Sequence, residues 1–124
     1  MTPETSLKNA IRRMMKKEFP DLFYRKLSDR YSSGIPDNII IYHGVTFFYE
    51  TKVPGKNPDP IQRFTINEII KNGGKAFLFK SVEDARIVLT AIKNKVQWSY
   101  APRQANNNIL TPTEDLQGIQ NIFT

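Results

Sequence analysis

The sequence predicts one α/β domain, a central mixed β-sheet flanked by helices, and three observations predict it. Residues 38–42 and 45–49 are two runs of β-branched and aromatic residues separated only by His43-Gly44, which reads as a tight hairpin. A further strand-like run, Lys75 to Lys80, follows a segment of helical periodicity, and strand–helix–strand connectivity implies at least one parallel pair. With 124 residues, 40% of them hydrophobic, the chain can bury one core but is short for two.

The elements follow in order. Thr2 can cap a first helix that opens on Pro3 and runs to about Phe19, where Pro20 ends it. Leu7, Ile11, Met14 and Met15 recur at helical spacing, with Lys8, Arg12, Arg13, Lys16 and Lys17 largely off that stripe. After the hairpin, Lys52 to Asp59 holds two prolines, a glycine and an asparagine, and so is a loop. Asp59-Pro60 starts a second helix that Gly73-Gly74 stops. Ser81 caps a third, to about Val96, with Glu83 and Asp84 at its positive end. A fourth strand must come from Tyr24 to Tyr31 or from near Trp98.

The composition changes beyond Trp98, so the expected organisation is a domain over 1–98 and a linker with a short last helix over 99–124. Pro102 to Asn108 has no apolar residue larger than alanine and reads as a flexible connector. Thr111-Pro-Thr-Glu114 is a capping box for a helix carrying Ile119, Ile122 and Phe123. That apolar surface, with Ile109 and Leu110, either docks on its own domain or covers a second subunit.

Composition removes several function classes. Without cysteine there is no disulfide framework and no thiolate zinc site. A single histidine, His43, sits in the hairpin turn, so histidine-based metalloprotease and nuclease motifs are excluded. No apolar run approaches the ~20 residues of a membrane span, and no secretory signal opens the chain, so an intracellular setting is expected. If the protein is an enzyme, carboxylates and lysines carry its chemistry. Eighteen Lys and Arg against twelve Asp and Glu give a net charge of +6, which favours a polyanionic partner.

The hairpin register brings such groups together. With His43-Gly44 as the loop, Tyr42 faces Val45, Ile40 faces Phe47 and Asp37 faces Glu50. Opposed residues stand ~4.5–5.5 Å apart at Cβ, and like charges there repel. Period-2 alternation puts Phe48, Glu50 and Lys52 on one face. Two carboxylates and a lysine therefore converge at the open end of the hairpin. One reading is a solvated strand end with a turn-forming aspartate. The other is a divalent cation between Asp37 and Glu50, since Mg²⁺ takes one or two protein carboxylates and completes its shell with water and phosphate. A lysine beside that ion can neutralise charge on a phosphate or orient an attacking water.

Gly34-Ile35-Pro36-Asp37, then after twelve intervening residues Glu50-Thr51-Lys52, resembles the PD-(D/E)XK nuclease signature. Gln62 at the start of the second helix makes it most similar to the VRR-NUC branch, with its G-x-P-D, E-x-K and Q pattern. Glu4 matches the early glutamate of that pattern, and the resemblance spans residues 4 to 96. It implies a restriction-endonuclease-like core and Mg²⁺- or Mn²⁺-dependent hydrolysis of DNA. Asp37, Glu50, Lys52 and Gln62 would be catalytic. Asp37, Glu50, the Thr51 carbonyl and Glu4, the last through water, would serve the metal. Stand-alone members of the branch are often phage or bacterial homodimers that cut four-way junctions, which implies a homodimer, branched DNA and the cytoplasm of a bacterial cell. The alternative is an idle DNA-binding or assembly module that retains the fold. Two positions depart from the pattern: Asn38 replaces an apolar residue, and Asp59-Pro60 stands where a small hydroxyl residue is usual.

Other residues carry open alternatives. Glu4 lies within the helical arc of Leu7, Ile11 and Met15 and faces inward, or simply complements the helix dipole. Gln62 shares a face with Ile66 and Ile69 and needs a partner: the lysine, a substrate phosphate, or backbone. Tyr42, Phe47, Phe48 and Tyr49 are expected in the sheet core rather than as base-stacking platforms. Arg25, Lys26, Arg30, Lys56 and Arg63 flank the motif and are candidate phosphate contacts.

Overall fold

The computed structural model describes residues 1–27, 34–94, 104–105 and 108–115. The chain runs α1 (Pro3–Glu18), β1 (Phe23–Lys26), β2 (Asn38–Tyr42), β3 (Val45–Thr51), α2 (Pro60–Lys71), β4 (Ala76–Phe79), α3 (Val82–Lys93), β5 (Gln104–Ala105) and β6 (Asn108–Ile109). The main sheet has the order β1-β2-β3-β4. Its first two pairings are antiparallel and β3 with β4 is parallel, because α2 carries the chain back over the sheet between them. The fourth strand is Phe23–Lys26, at the edge.

Local chemistry sets the helix starts. The Thr2 hydroxyl accepts the Thr5 N–H at 3.1 Å, and the Ser81 hydroxyl accepts the Asp84 N–H at 3.1 Å. At α2 the Asp59 N–H donates to Gln62 Oε1 at 2.9 Å, and Pro60 follows directly. Each closes an orphan group of a first turn, worth ~1 kcal/mol.

Strand alternation divides the core in two. Ile40, Tyr42, Phe47, Tyr49, Phe77 and Phe79 meet Ile11, Met14, Met15 and Phe19 of α1 and the apolar stripe of α3. On the opposite face Ala76 and Leu78 pack against Ile66 of α2 and Ile109 of β6, with Phe48 and Ile69 alongside. Tyr42, Phe47 and Tyr49 are thus core residues, as expected, and Phe48 is half-buried. Arg86 joins the helices of the first face through two bonds to Glu18, at 3.0 and 2.9 Å.

The described part of the tail lies on the domain; of the segment 102–108, expected as a flexible connector, 104–105 and 108 are among the described residues. Gln104 pairs with Ile109 and Ala105 with Asn108, and Ile109 is buried. Asp84, fully buried, accepts the Lys80 N–H at 2.7 Å, the Thr113 N–H at 3.0 Å and the Thr113 hydroxyl at 2.6 Å. One carboxylate therefore ties the tail to the start of α3. Composition hid this because the anchoring groups are backbone amides and hydroxyls. The Glu114 N–H closes a turn on the Thr111 hydroxyl at 3.3 Å, and the last helix expected beyond it lies outside the described residues.

Candidate active site

The hairpin has the register its sequence predicts. His43 and Gly44 form the loop with φ of 49° and 79°, Tyr42 faces Val45 and Ile40 faces Phe47. The ladder runs down to Asn38 opposite Tyr49, and one step further the Asp37 N–H donates to Glu50 Oε2 at 3.2 Å. Asp37 and Glu50 are thereby held side by side at the open end.

The chain reaches Asp37 through a tight approach. Gly34 has a φ of +86°, and a Cβ there would stand 2.7 Å from the Ile61 carbonyl oxygen and 2.9 Å from Thr65 Oγ1. Only glycine fits, so the first turn of α2 braces the segment that presents Pro36 and Asp37. The parallel strand fixes the other arm: the Lys52 N–H donates to the Phe79 carbonyl at 3.2 Å.

Burial and charge then act on Glu50. It is 2% exposed, and its carboxyl is pushed up to about 7, first by desolvation and then by the Asp37 charge. The Asp37 N–H and the ammonium groups of Lys52 and Lys8 pull the other way without cancelling the shift. A carboxylate kept in this state is costly unless positive charge reaches it. Lys52 Nζ stands 4.0 Å from Glu4 Oε1, and Lys8 Nζ stands 3.5 Å from Asp37 Oδ2. The first two turns of α1 therefore lie over the hairpin end, with Glu4 and Lys8, one helical turn apart, each meeting an opposite charge.

Among solved structures, one described as a VRR_NUC domain matches this chain with a TM-score of 0.58 and 28% sequence identity. The match covers 66% of this chain and 92% of that one. The fold is of the VRR-NUC nuclease type. No family model and no curated protein matches the sequence.

On this VRR-NUC-type fold the remaining site residues of the sequence reading separate. Asp37, Glu50, Lys52 and Glu4 share one end of the sheet, as the pairs above show. Glu4 adjoins Lys52, and among the described residues no three His, Cys, Asp or Glu side chains stand together as a metal cluster. Thr51 is fully buried, and its hydroxyl has no hydrogen-bond partner among the described residues. Gln62, in the first turn of α2, accepts the N–H of the capping residue Asp59 through its side-chain oxygen.

The candidate phosphate contacts divide as well. Lys26 lines a cleft with Asp37. Arg25 lies 4.5 Å over the Phe23 ring and donates to the Tyr24 carbonyl at 2.7 Å. Lys56 is exposed on the loop after β3, and Arg63 is half-buried on α2 beside Gln104. Arg30 lies outside the described residues.

The sequence reading missed Lys8 and Asn38. Lys8 is four residues beyond Glu4, and that spacing was the available signal. Asn38 is buried, accepts the Tyr24 hydroxyl at 2.6 Å and donates to the Tyr49 carbonyl at 3.3 Å. It bridges β1, β2 and β3 directly behind Asp37, which explains a polar residue where the family pattern is apolar.

Proposed function

We propose that the protein is a divalent-cation-dependent endonuclease that hydrolyses DNA phosphodiesters. The observation that carries this reading is the opposed pair Asp37 and Glu50, one partly exposed and one buried, with Lys52 on the same strand end. An electrostatically unfavourable carboxylate pair has little structural use on a strand end, and a cation turns it into a binding feature. The nuclease-type fold supports the same conclusion.

The donor set fits Mg²⁺ or Mn²⁺. Two carboxylates and the Thr51 carbonyl would hold the ion, leaving the rest of an octahedral shell to water and a substrate phosphate. The bound ion would supply Lewis-acid polarisation of the phosphoryl oxygen and a more acidic water. The protein's own residues do the rest. The Asp37 N–H fixes the Glu50 carboxylate, so that the pair is preorganised. Lys52, 19% exposed, presents its ammonium where charge builds on the phosphate oxygens, and Glu4 orients that ammonium from α1. In the step, water adds to phosphorus, one P–O ester bond breaks, and the departing oxygen takes a proton.

The net charge of +6 favours recognition of phosphate and DNA shape over base sequence. Branched DNA, including four-way junctions, is the proposed substrate class, and a homodimer would place two such sites on paired scissile phosphates. Purified protein with branched, nicked and linear DNA, with and without Mn²⁺, tests the reading beside Asp37→Asn and Lys52→Ala. The wild type should cut in Mn²⁺ and both variants should lose the activity; equal cutting by all three refutes the assignment.

A further inference from the structure

A groove runs from the candidate active site along the seam between α1 and the edge strand β1. Its first part, about 190 Å³, is lined by Lys8, Arg12, Lys26 and Asp37, with Asn38, Tyr49 and Thr51 also contributing. Its second part, about 250 Å³, has the cations Arg12, Lys16 and Arg25 at its wall beside Tyr24, over an otherwise apolar lining that includes Phe19 and Leu22. Arg12 and Tyr24 line both, so the two parts are neighbours along this seam. The Arg12 guanidinium sits 4.4 Å over the Tyr24 ring, a stacking contact that fixes it at the junction.

The cations are spaced regularly. Lys8, Arg12 and Lys16 follow one another at i, i+4 and i+8, so they share a helix face with one positive charge per ~6 Å of axis. That interval suits successive phosphates of a nucleic-acid strand. Glu4, which meets Lys52, is the preceding member of the same series. The row therefore begins at the site where a scissile phosphate would lie and leads away from it. Lys26 contributes from β1. At the inner end the buried Thr51 hydroxyl, without a partner among the described residues, adds an unused donor. Basic residues on an edge strand can serve only to discourage sheet pairing, but that account leaves the row on α1 unexplained.

We infer that the α1–β1 groove is a phosphate track that holds the DNA strand flanking the scissile bond, with Lys8, Arg12 and Lys16 each taking one phosphate. The inference rests on the nuclease reading and extends it to a surface that the motif residues do not include. Sequence would not be read there, since cations on phosphates position the strand and base edges stay uncontacted.

Salt-dependent binding tests it. Labelled duplex DNA is titrated in EDTA, from 50 to 200 mM KCl, with the wild type, with Arg12→Gln/Lys16→Gln, and with Lys71→Gln/Lys93→Gln as a control of equal charge. Removing two phosphate contacts should lower the slope of log K against log salt by ~1.8 and weaken binding roughly tenfold per charge at 0.1 M. The control should shift both far less. Arg12→Lys keeps the charge without the guanidinium stack and should retain the wild-type slope. If the groove variant behaves as the control does, the track is wrong while the nuclease reading stands. If the wild type binds no DNA at all, both fail. Circular dichroism shows whether Arg12→Gln/Lys16→Gln is folded; Lys16 is exposed, so Lys16→Gln alone, with a slope change of ~0.9, decides the matter if the double variant is not.

Discussion

Replacing Glu50 with glutamine should make the metal-free protein more stable at pH 8 and leave it nearly unchanged at pH 5. In the folded chain the Glu50 carboxyl is pushed up to about 7 from its usual 4.5, chiefly by burial. Between those two values the native state holds a proton that the unfolded chain has already lost. Stability therefore falls as pH rises through that window, and the full cost is present above about pH 7. A displacement of this size corresponds to about 3 kcal/mol, at 1.36 kcal/mol per pK unit. Glutamine is nearly isosteric, carries no charge, and keeps an oxygen to accept the Asp37 N–H. In EDTA the melting temperature of Glu50→Gln should exceed the wild type by on the order of 10 °C at pH 8, with little difference at pH 5. Thermal unfolding at both pH values measures this, and taking the difference cancels the titrating groups that do not interact with Glu50. Saturating Mn²⁺ should close the gap by raising only the wild type, by about 3 kcal/mol at a hundredfold excess over Kd. A variant that is less stable at pH 8, or a gap independent of pH, refutes the claim that buried charge at Glu50 is a cost awaiting a cation.

Two further outcomes follow from the same geometry. Gly34→Ala puts a Cβ 2.7 Å from the Ile61 carbonyl at a φ of +86°, so thermal unfolding should show a loss of ~1–3 kcal/mol, and DNA cleavage should fall as Asp37 is displaced. Asp84→Ala leaves two backbone N–H groups and a hydroxyl without their acceptor, so it should cost ~3 kcal/mol by denaturant titration and open residues 108–115 to limited proteolysis.

What was legible in the sequence was what short-range chemistry decides. Proline, threonine, aspartate and serine at helix starts specify their own hydrogen bonds within one turn, so α1, α2 and α3 begin where the sequence reading placed them. The hairpin follows from two residues able to take positive φ, and its register carries Asp37 to Glu50 without further information. Strand β1 was only bracketed, because four residues at a sheet edge are decided by the partner: Tyr24 is placed by its bond to Asn38, fourteen residues away. The pairing of 104–105 with 108–109 was not legible for the same reason, since its anchors, Ile109 under α2 and Asp84 at α3, are distant in sequence.

The candidate site divides along the same line, and the division bears on how the chemistry is assembled. Asp37, Glu50 and Lys52 lie on one hairpin, so alternation and register suffice to bring them together. Glu4 and Lys8 reach them only because α1 folds back over the hairpin end, which no local pattern states. The hairpin thus supplies an unfavourable carboxylate pair, and the helix supplies the charges that answer it, Lys8 on Asp37 and Glu4 on Lys52. On the phosphate-track proposal, Lys8 and the cations one and two turns beyond it would continue the site. If the proposed function holds, a substrate phosphate entering the groove would meet the same helix that sets Glu4 against Lys52, so strand binding and alignment of Lys52 would be coupled through α1.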